Sequence, residues 1–515
     1  MNRFRVILFL ALLWAGGNFI YAQVDTNLLT FDSAYQLMQK KNPSLQKAQK
    51  EIQQKEYEKD AKKGLYLPKV SVSAKAVAMA NPLHLDLTDV GDAITGLYEY
   101  LGNYGVFSDV PYIDPATGVP VVNPATGEPV ILDQTYSTAA VREGFSETAD
   151  ELAAAEWDRT IQDKYFATAS ADVTWPVFTG GKIRAANKAA DVEVSISQEE
   201  LRKTQGEMLS ELVTRYYGLV LAMQASDVMK EKFEAMQKHY SDAEKMFNEG
   251  MIAKVELLSA KVALSDAQRD YNRAQRMVET VETGLSATLA TEADTCFIPV
   301  SILFINKNVP NVNYWISQTQ SSNPLLKQIG YKKDLTNIKT NVSKGAYLPT
   351  VALMGTYNLV DYQLSPYMPD WLIGAGLTWT LFDGLTRHNE LKANKMLSEQ
   401  VDFIQEKAND ELKAYITKLY NELNSQLFEI KELDNTLSLA KEYCESTKKA
   451  FNEGFKSSTD VAQALSKLAQ VKALRLKAFY SYDVTLATLL QASGTPEQFI
   501  SYCTGDNTIT EAINQ

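Results

Sequence analysis

The chain has 515 residues, 45% of them hydrophobic and 22% charged, and its 63 acids against 51 bases leave a net charge of −12. Phosphate backbones are bound by basic footprints, so this acidity excludes a nucleic-acid binder, and the apolar fraction excludes a disordered chain. Cys296, Cys444 and Cys503 show no CxxC spacing, so neither a zinc site nor a disulfide framework arises, and a Cys296–Cys503 bridge is not expected.

At the N-terminus, Arg3 and Arg5 precede an apolar core from Val6 to Trp14, and Tyr21-Ala22 offers a small-residue cleavage site before Gln23. This pattern predicts a secretory signal peptide over residues 1–22. Gly16, Gly17 and Asn18 interrupt the apolar run before it reaches the roughly 20 residues of a membrane-spanning helix. No cysteine follows the cleavage point, so no N-terminal lipid anchor is expected. No later apolar run is of bilayer length, and membrane insertion would therefore have to use strands.

Four landmark pairs mark an internal duplication. Asn42-Pro43 matches Asn323-Pro324, and Gly64-Leu65-Tyr66-Leu67-Pro68 matches Gly345-Ala346-Tyr347-Leu348-Pro349, both at an offset of 281. The segment from Thr174 to Gly180 matches that from Thr378 to Gly384, and Phe247-Asn248-Glu249-Gly250 matches Phe451-Asn452-Glu453-Gly454, both at an offset of 204. The fall from 281 to 204 gives repeat 1 an additional 77 residues between its Leu-Pro and its Phe-x-Gly landmarks.

In chain order the periodicity predicts a helix within 23–67, strands at 68–80 and 165–178 flanking an insert at 81–164, and a long helical hairpin at 179–295. A linker or equatorial segment at 296–322 leads to the second repeat, with a helix at 323–348, a strand pair at 349–383, a second long hairpin at 384–494 and a tail at 495–515. The strands alternate: Val70, Val72, Ala74, Ala76, Ala78 and Ala80 oppose Ser71, Ser73 and Lys75, blurred only by Val77 and Met79, and Ala167, Ala169, Ala171, Val173 and Trp175 oppose Thr168, Ser170, Asp172 and Thr174. Repeat 2 sorts likewise, with Val351, Leu353, Gly355 and Tyr357 in one strand and Trp371, Ile373, Ala375, Leu377 and Trp379 in the other. Roughly 10 to 13 residues per strand suffice to cross a bilayer when tilted. Tyr165, Trp175, Tyr357, Trp371 and Trp379 are placed towards strand ends on the apolar faces, as membrane-interface aromatics.

A soluble sheet with one wet face would fit the strand pattern alone. The helices argue otherwise. No proline occurs from Val177 to Ile298 or from Asp370 to Thr495, and the run from Lys182 to Gly250 makes an arm of about 100 Å at 1.5 Å per residue. Such arms exceed what a small soluble sheet covers, and their apolar spacing demands lateral partners. A membrane sheet must also close, and four strands cannot, so several chains must share one barrel.

These landmarks, from Leu29-Thr30-Phe31 through the Asn-Pro and Leu-Pro pairs to the Phe-x-Gly turns at Phe178 and Phe382 and the tips at Gly250 and Gly454, resemble the TolC-type family of outer-membrane efflux channels. The resemblance implies a mainly α fold with a membrane β-barrel, in which three chains close one 12-stranded barrel continued by a periplasmic α-helical barrel. It implies a passive exit duct of a tripartite efflux or type I secretion system in the outer membrane of a Gram-negative cell. The implied partners are a homotrimer, a periplasmic adaptor, an inner-membrane pump of RND or ABC type and outer-membrane lipid, with no cofactor and no metal.

By the same resemblance the hairpin tips close the periplasmic end and receive the adaptor, through Gly250, Met251, Ile252 and Ala253 in one tip and Gly454, Phe455 and Ser457 in the other. Glu256 and Lys456 are expected to form an inter-helix ion pair that holds the pore shut, with Phe451 where the type member has a tyrosine. Asp460 matches an acidic ring around the pore, whereas Gln463 stands where a second acid is expected. Without the resemblance, each tip is a plain turn and Glu256, Lys456 and Asp460 are solvated charges.

An enzyme is not expected, since His84, His239 and His388 are far apart and HExxH, GxGxxG and GxxxxGK[ST] are absent. A periplasmic coiled-coil scaffold without a pore would explain the helices but not paired alternating strands. The insert carries 15 acids and three bases, hence a charge of −12, and a tandem nonapeptide from Asp114 to Ile131 that predicts consecutive turns or a hairpin. It is expected to be extracellular, with a short acidic helix between Ser146 and Asp163.

Overall fold

A computed structural model describes residues 27–292, 297–306, 308–504 and 508–510. The signal-peptide expectation for residues 1–22 and the Cys296 half of the bridge question lie outside them. In chain order the elements are β1 (Asn27–Leu29), α1 (Phe31–Lys41), α2 (Pro43–Lys63), β2 (Lys69–Ala78), β3 (Leu83–Asp86), α3 (Thr88–Tyr104), α4 (Gln134–Ala154), β4 (Asp158–Gln162) and β5 (Tyr165–Phe178). They continue with α5 (Lys182–Asn248), α6 (Lys254–Leu289), β6 (Phe297–Pro299), β7 (Phe304–Asn306), α7 (Val312–Ser322), α8 (Pro324–Gly345), β8 (Thr350–Tyr362) and β9 (Trp371–Thr378). The chain ends with α9 (Thr386–Asn452), α10 (Ser458–Ser493), α11 (Gln498–Thr504) and β10 (Thr508–Thr510).

Two compact units result. One holds the described residues up to Lys63, Lys182–Ala346 and those from Phe382 onward; the other holds Gly64–Gly181 and Tyr347–Leu381. In the helical unit the duplication is exact in length: α5 and α9 each have 67 residues, and α6 and α10 each have 36. Each pair folds back as a hairpin, and α5 also packs on α10, α2 and α8. The core centres on Phe31, Tyr216, Tyr217, Phe304 and Phe499, whose rings meet at 5.2–6.0 Å, with a second buried cluster of Met236, Ala243, Ala260, Cys444, Phe451 and Val461.

The expected single helix in 23–67 is two, α1 and α2, broken between Asn42 and Pro43. A proline forbids the α conformation to the residue before it, and Asn42 and Asn323 both take φ −63°, ψ 124°. Each asparagine then clamps a neighbouring helix end: Asn42 Nδ2 donates to Thr288 O at 3.0 Å and Asn323 Nδ2 to Ala492 O at 2.7 Å. The stretch expected as a linker, 296–322, carries β6, β7 and α7. Tyrosine hydroxyls sew it down, Tyr216 to Leu29 O and Ser301 N, and Tyr482 to Asn306 O and N. The tail likewise contributes β10, antiparallel to β7, and β1 pairs in parallel with β6.

In the other unit β2, β5, β8 and β9 form one antiparallel sheet in that order. Their lengths are 10, 14, 13 and 8 residues, so β9 falls short of the expected range. Within the insert, α3 packs on α4, β3 pairs with β4, and the nonapeptides form a ladder of bridges, Pro111 to Ile131, Ile113 to Pro120 and Val122 to Pro129. The acidic helix expected at Ser146–Asp163 instead runs from Gln134 to Ala154. Asp133 fixes its start by accepting from the N–H groups of Thr135 and Tyr136, and residues 158–162 are strand.

Candidate functional site

Across the sheet the register superimposes the apolar positions of all four strands. Val72 faces Ala171, which faces Tyr357, which faces Trp371, and Val70, Val173, Gly355 and Ile373 form the next row. The other face is polar across β2 and β5 and mixed further on, with Ser71 beside Asp172 beside Thr356 beside Leu372, and Lys75 beside Thr168 beside Asp361. There Asp172 accepts from Thr356 Oγ1 at 2.9 Å, Ser73 Oγ at 3.1 Å and Ser170 Oγ at 3.2 Å. The apolar face is exposed: Val72 is 70% and Ile373 74% accessible. Among the described residues no helix is long and apolar enough to cross a membrane.

The aromatic residues sort by end. Tyr165 begins β5 and Trp371 begins β9, while Trp175 lies near the far end of β5 and Trp379 one residue beyond β9. Trp175 donates to Tyr66 O at 2.9 Å and Trp379 to Tyr347 O at 3.0 Å. Tyr357 is mid-strand in β8 rather than near an end, because β8 runs on to Tyr362 past the start of β9; it is level with Trp371.

The two helix tips share one turn. Gly250 and Gly454 have φ of 75° and 81°, a conformation costing other residues roughly 1 kcal/mol. Gly250 N–H bonds Phe247 O at 2.9 Å and Met251 N–H bonds Met246 O at 2.8 Å; Gly454 and Phe455 repeat this to Phe451 and Ala450. Met251 and Phe455 project beyond, 61% and 79% exposed, with Ile252 half-buried.

The tips diverge at their caps. Ser457 and Asp460 close a capping box, Ser457 N–H to Asp460 Oδ2 at 2.9 Å and Asp460 N–H to Ser457 Oγ at 3.2 Å. Ser457, through its N–H first and its Oγ at 2.8 Å second, holds the Asp460 carboxyl below its usual range, and Lys456 Nζ lies 3.7 Å away. Ala253 offers no side chain to cap α6. Glu256, the counterpart of Asp460, reaches across instead, and its Oε2 accepts from Ser458 N–H at the start of α10 at 2.7 Å. The expected Glu256–Lys456 pair is therefore not the one made within the chain: Asp460 on its own helix turn takes Lys456, and the positive end of α10 takes Glu256. Gln463 is exposed on α10.

One residue that the sequence did not single out joins this junction. His239 on α5, 7% exposed, places Nε2 2.7 Å from Ser458 Oγ and its ring 4.8 Å from that of Phe451, which is itself buried. Ser259 Oγ lies 2.9 Å from Thr459 Oγ1. Among the described residues no cluster of His, Cys, Asp or Glu could hold a metal ion.

Comparison with known proteins matches this architecture. The sequence pattern of the family described as "Outer membrane efflux protein" covers residues 145–291 and 315–495, one stretch per repeat. No curated protein sequence matches the chain. Among solved structures, the CmeC outer membrane channel of Campylobacter jejuni superimposes with a TM-score of 0.63 at 16% identity, over 90% of this chain and 86% of that one. The outer membrane protein VceC of Vibrio cholerae gives 0.63 at 12% over 90% and 96%, and the open state of the MtrE outer membrane channel of Neisseria gonorrhoeae gives 0.60 at 13% over 90% and 89%. With both repeats matched over well more than half of its length, the chain belongs to the outer membrane efflux protein family, a family of outer-membrane channels rather than enzymes.

Proposed function

We propose that three copies of the chain close one barrel in the outer membrane and form the passive exit duct for an inner-membrane pump and a periplasmic adaptor. The observation that carries this is the sheet with two free edges. In the order β2-β5-β8-β9 the outer edges of β2 and β9 have no strand partner among the described residues, and such edges are not tolerated in lipid. Directions alternate across the sheet, so β9 of one copy runs antiparallel to β2 of the next and the ladder continues without a break. Two copies would give about eight strands, whose interior side chains fill, whereas three leave a lumen lined by the polar face.

The dimensions agree. Tyr165 and Trp175 are ten positions apart on β5, about 33 Å of strand, which tilted by about 40° spans roughly the 25 Å apolar band of an outer-membrane barrel. The tips at Gly250 and Gly454 would form the periplasmic gate, with Glu256, Phe451, Lys456 and Asp460 around it and Met251 and Phe455 available to the adaptor. The mass of the purified chain in detergent and its conductance in planar bilayers test the reading. A trimer that conducts supports it, and a monomer without conductance overturns it.

A further inference from the structure

We infer that His239 is a positioning residue of the tip junction, and that its protonation loosens the hold of the first hairpin on the second so that closure weakens as pH falls. This rests on the reading of the tips as a gate. The geometry is a three-way junction on one residue. Ser458, fully buried, opens α10; its hydroxyl meets His239 from α5 and its N–H meets Glu256 from α6. Phe451 from α9 closes the site with its ring against the imidazole. Both hairpins therefore meet where α10 begins.

That position penalises a charged imidazole. Burial pulls the His239 pKa below its ordinary 6.5, because the cation would lose water without gaining a full counter-charge. The hydrogen bond to Ser458 favours the cation, and the charged groups that face the ring are Asp242 on its own helix, Glu256 on α6 and Lys448 on α9; the two carboxylates also favour the cation, Lys448 opposes it, and with desolvation the largest influence the net shift is downward. From α10 the ring meets the N-terminal end of a helix, whose partial positive charge also opposes a cation. The sign follows. A group whose pKa is lowered in the closed junction holds that junction fully above the ordinary histidine range, and the hold declines once the pH drops below about 6.5, because the opened state then binds the proton preferentially.

Single-channel recordings of the full chain in planar bilayers at pH 7.5 and 5.5 test this, alongside His239→Gln, which can bond Ser458 but cannot titrate in this range. The wild type should open more often at pH 5.5, by up to about tenfold for each His239 that titrates, and His239→Gln should lose that dependence. A wild type indifferent to pH, or a His239→Gln channel with the same dependence, overturns the inference. Amide exchange of Ser458 to Val461 in detergent, corrected for intrinsic rates, gives a second reading: faster exchange at pH 5.5 in the wild type alone supports it, and equal change in both overturns it. A chain that forms no pore defeats the channel reading, and exchange then decides the role of His239 by itself.

Discussion

Trp175 donates its indole N–H to the carbonyl of Tyr66 at 2.9 Å, and the second repeat makes the same bond from Trp379 to Tyr347 at 3.0 Å. The two donors are 204 residues apart and the two acceptors 281, the same offsets that relate the repeats in sequence. The duplication is thus preserved down to single hydrogen bonds that tie each strand end to the Leu-Pro turn preceding its partner strand.

Trp175→Phe and Trp379→Phe keep an aromatic side chain but remove the donor and part of the ring, so each should cost at least about 1 kcal/mol. Thermal unfolding in detergent should show two similar decreases in Tm that add in the double variant, because the sites share no partner. A large loss from one and none from the other would mean that the two bonds are not equivalent.

Asn42 and Asn323 make a second such pair but with unequal duties. Asn42 accepts from Ser44 N–H and donates to Thr288 O, whereas Asn323 accepts from both Leu325 and Leu326 N–H and donates to Ala492 O. Substitution by alanine should cost about 1–2 kcal/mol at Asn42 and about 2–3 kcal/mol at Asn323, as more buried groups lose partners. Urea unfolding of the two variants under identical conditions would reveal the order, and equal midpoints would contradict it.

The repeats, the four strands and their faces were legible in the sequence because period-two alternation and paired landmarks are local signals. Of the helices of the insert, α3 was not, and α4 only in its second half, from Ser146 to Ala154. Gly91, Gly96 and Gly102 dilute the pattern of α3, and Gly91 is there because Trp157 packs on it. His239 escaped notice because its partner Ser458 is 219 residues away and belongs to the other hairpin. The contact of Glu256 with Ser458 is not legible from charge alone, because it depends on cap geometry: Ser457 holds Asp460 beside Lys456, and Ser458 N–H is left for Glu256.

Asp483 predicts a pH dependence of stability. Its side chain is fully buried, Oδ2 accepts from Phe304 N–H at 3.4 Å, and Oδ1 has no partner among the described residues. Burial pushes its pKa well above the usual carboxylate range. A carboxyl with a raised folded-state pKa favours the fold most at acid pH, and that contribution declines as pH rises from about 4 towards the folded value. Asp483→Asn removes the titration. The difference in Tm between wild type and Asp483→Asn, measured from pH 5 to pH 8, should move in favour of the variant as pH rises. A constant difference would show that Asp483 titrates normally.

Gly91 decides whether the insert behaves as a folded piece. A Cβ at this position would come within 2.5 Å of the Trp157 indole, which is held by Nε1 donating to Leu152 O at 2.9 Å and by its carbonyl accepting from Leu87 N–H at 3.0 Å. The half-buried ring or the α3 backbone would have to shift, so Gly91→Ala should cost about 1–3 kcal/mol and loosen the packing of α3. Limited proteolysis should then cut the variant within residues 81–164 while leaving the strands and long helices intact. The insert carries 15 acids against three bases, so in the proposed trimer its charge surrounds the outer mouth and draws cations at low ionic strength. Uncut Gly91→Ala keeps that charge and should keep the cation preference measured by reversal potential. Proteolytic removal of the insert should abolish the preference. If it persists after removal, the selectivity resides in the polar strand face around Asp172 or in the tips around Asp460, and the insert is a shield without influence on permeation.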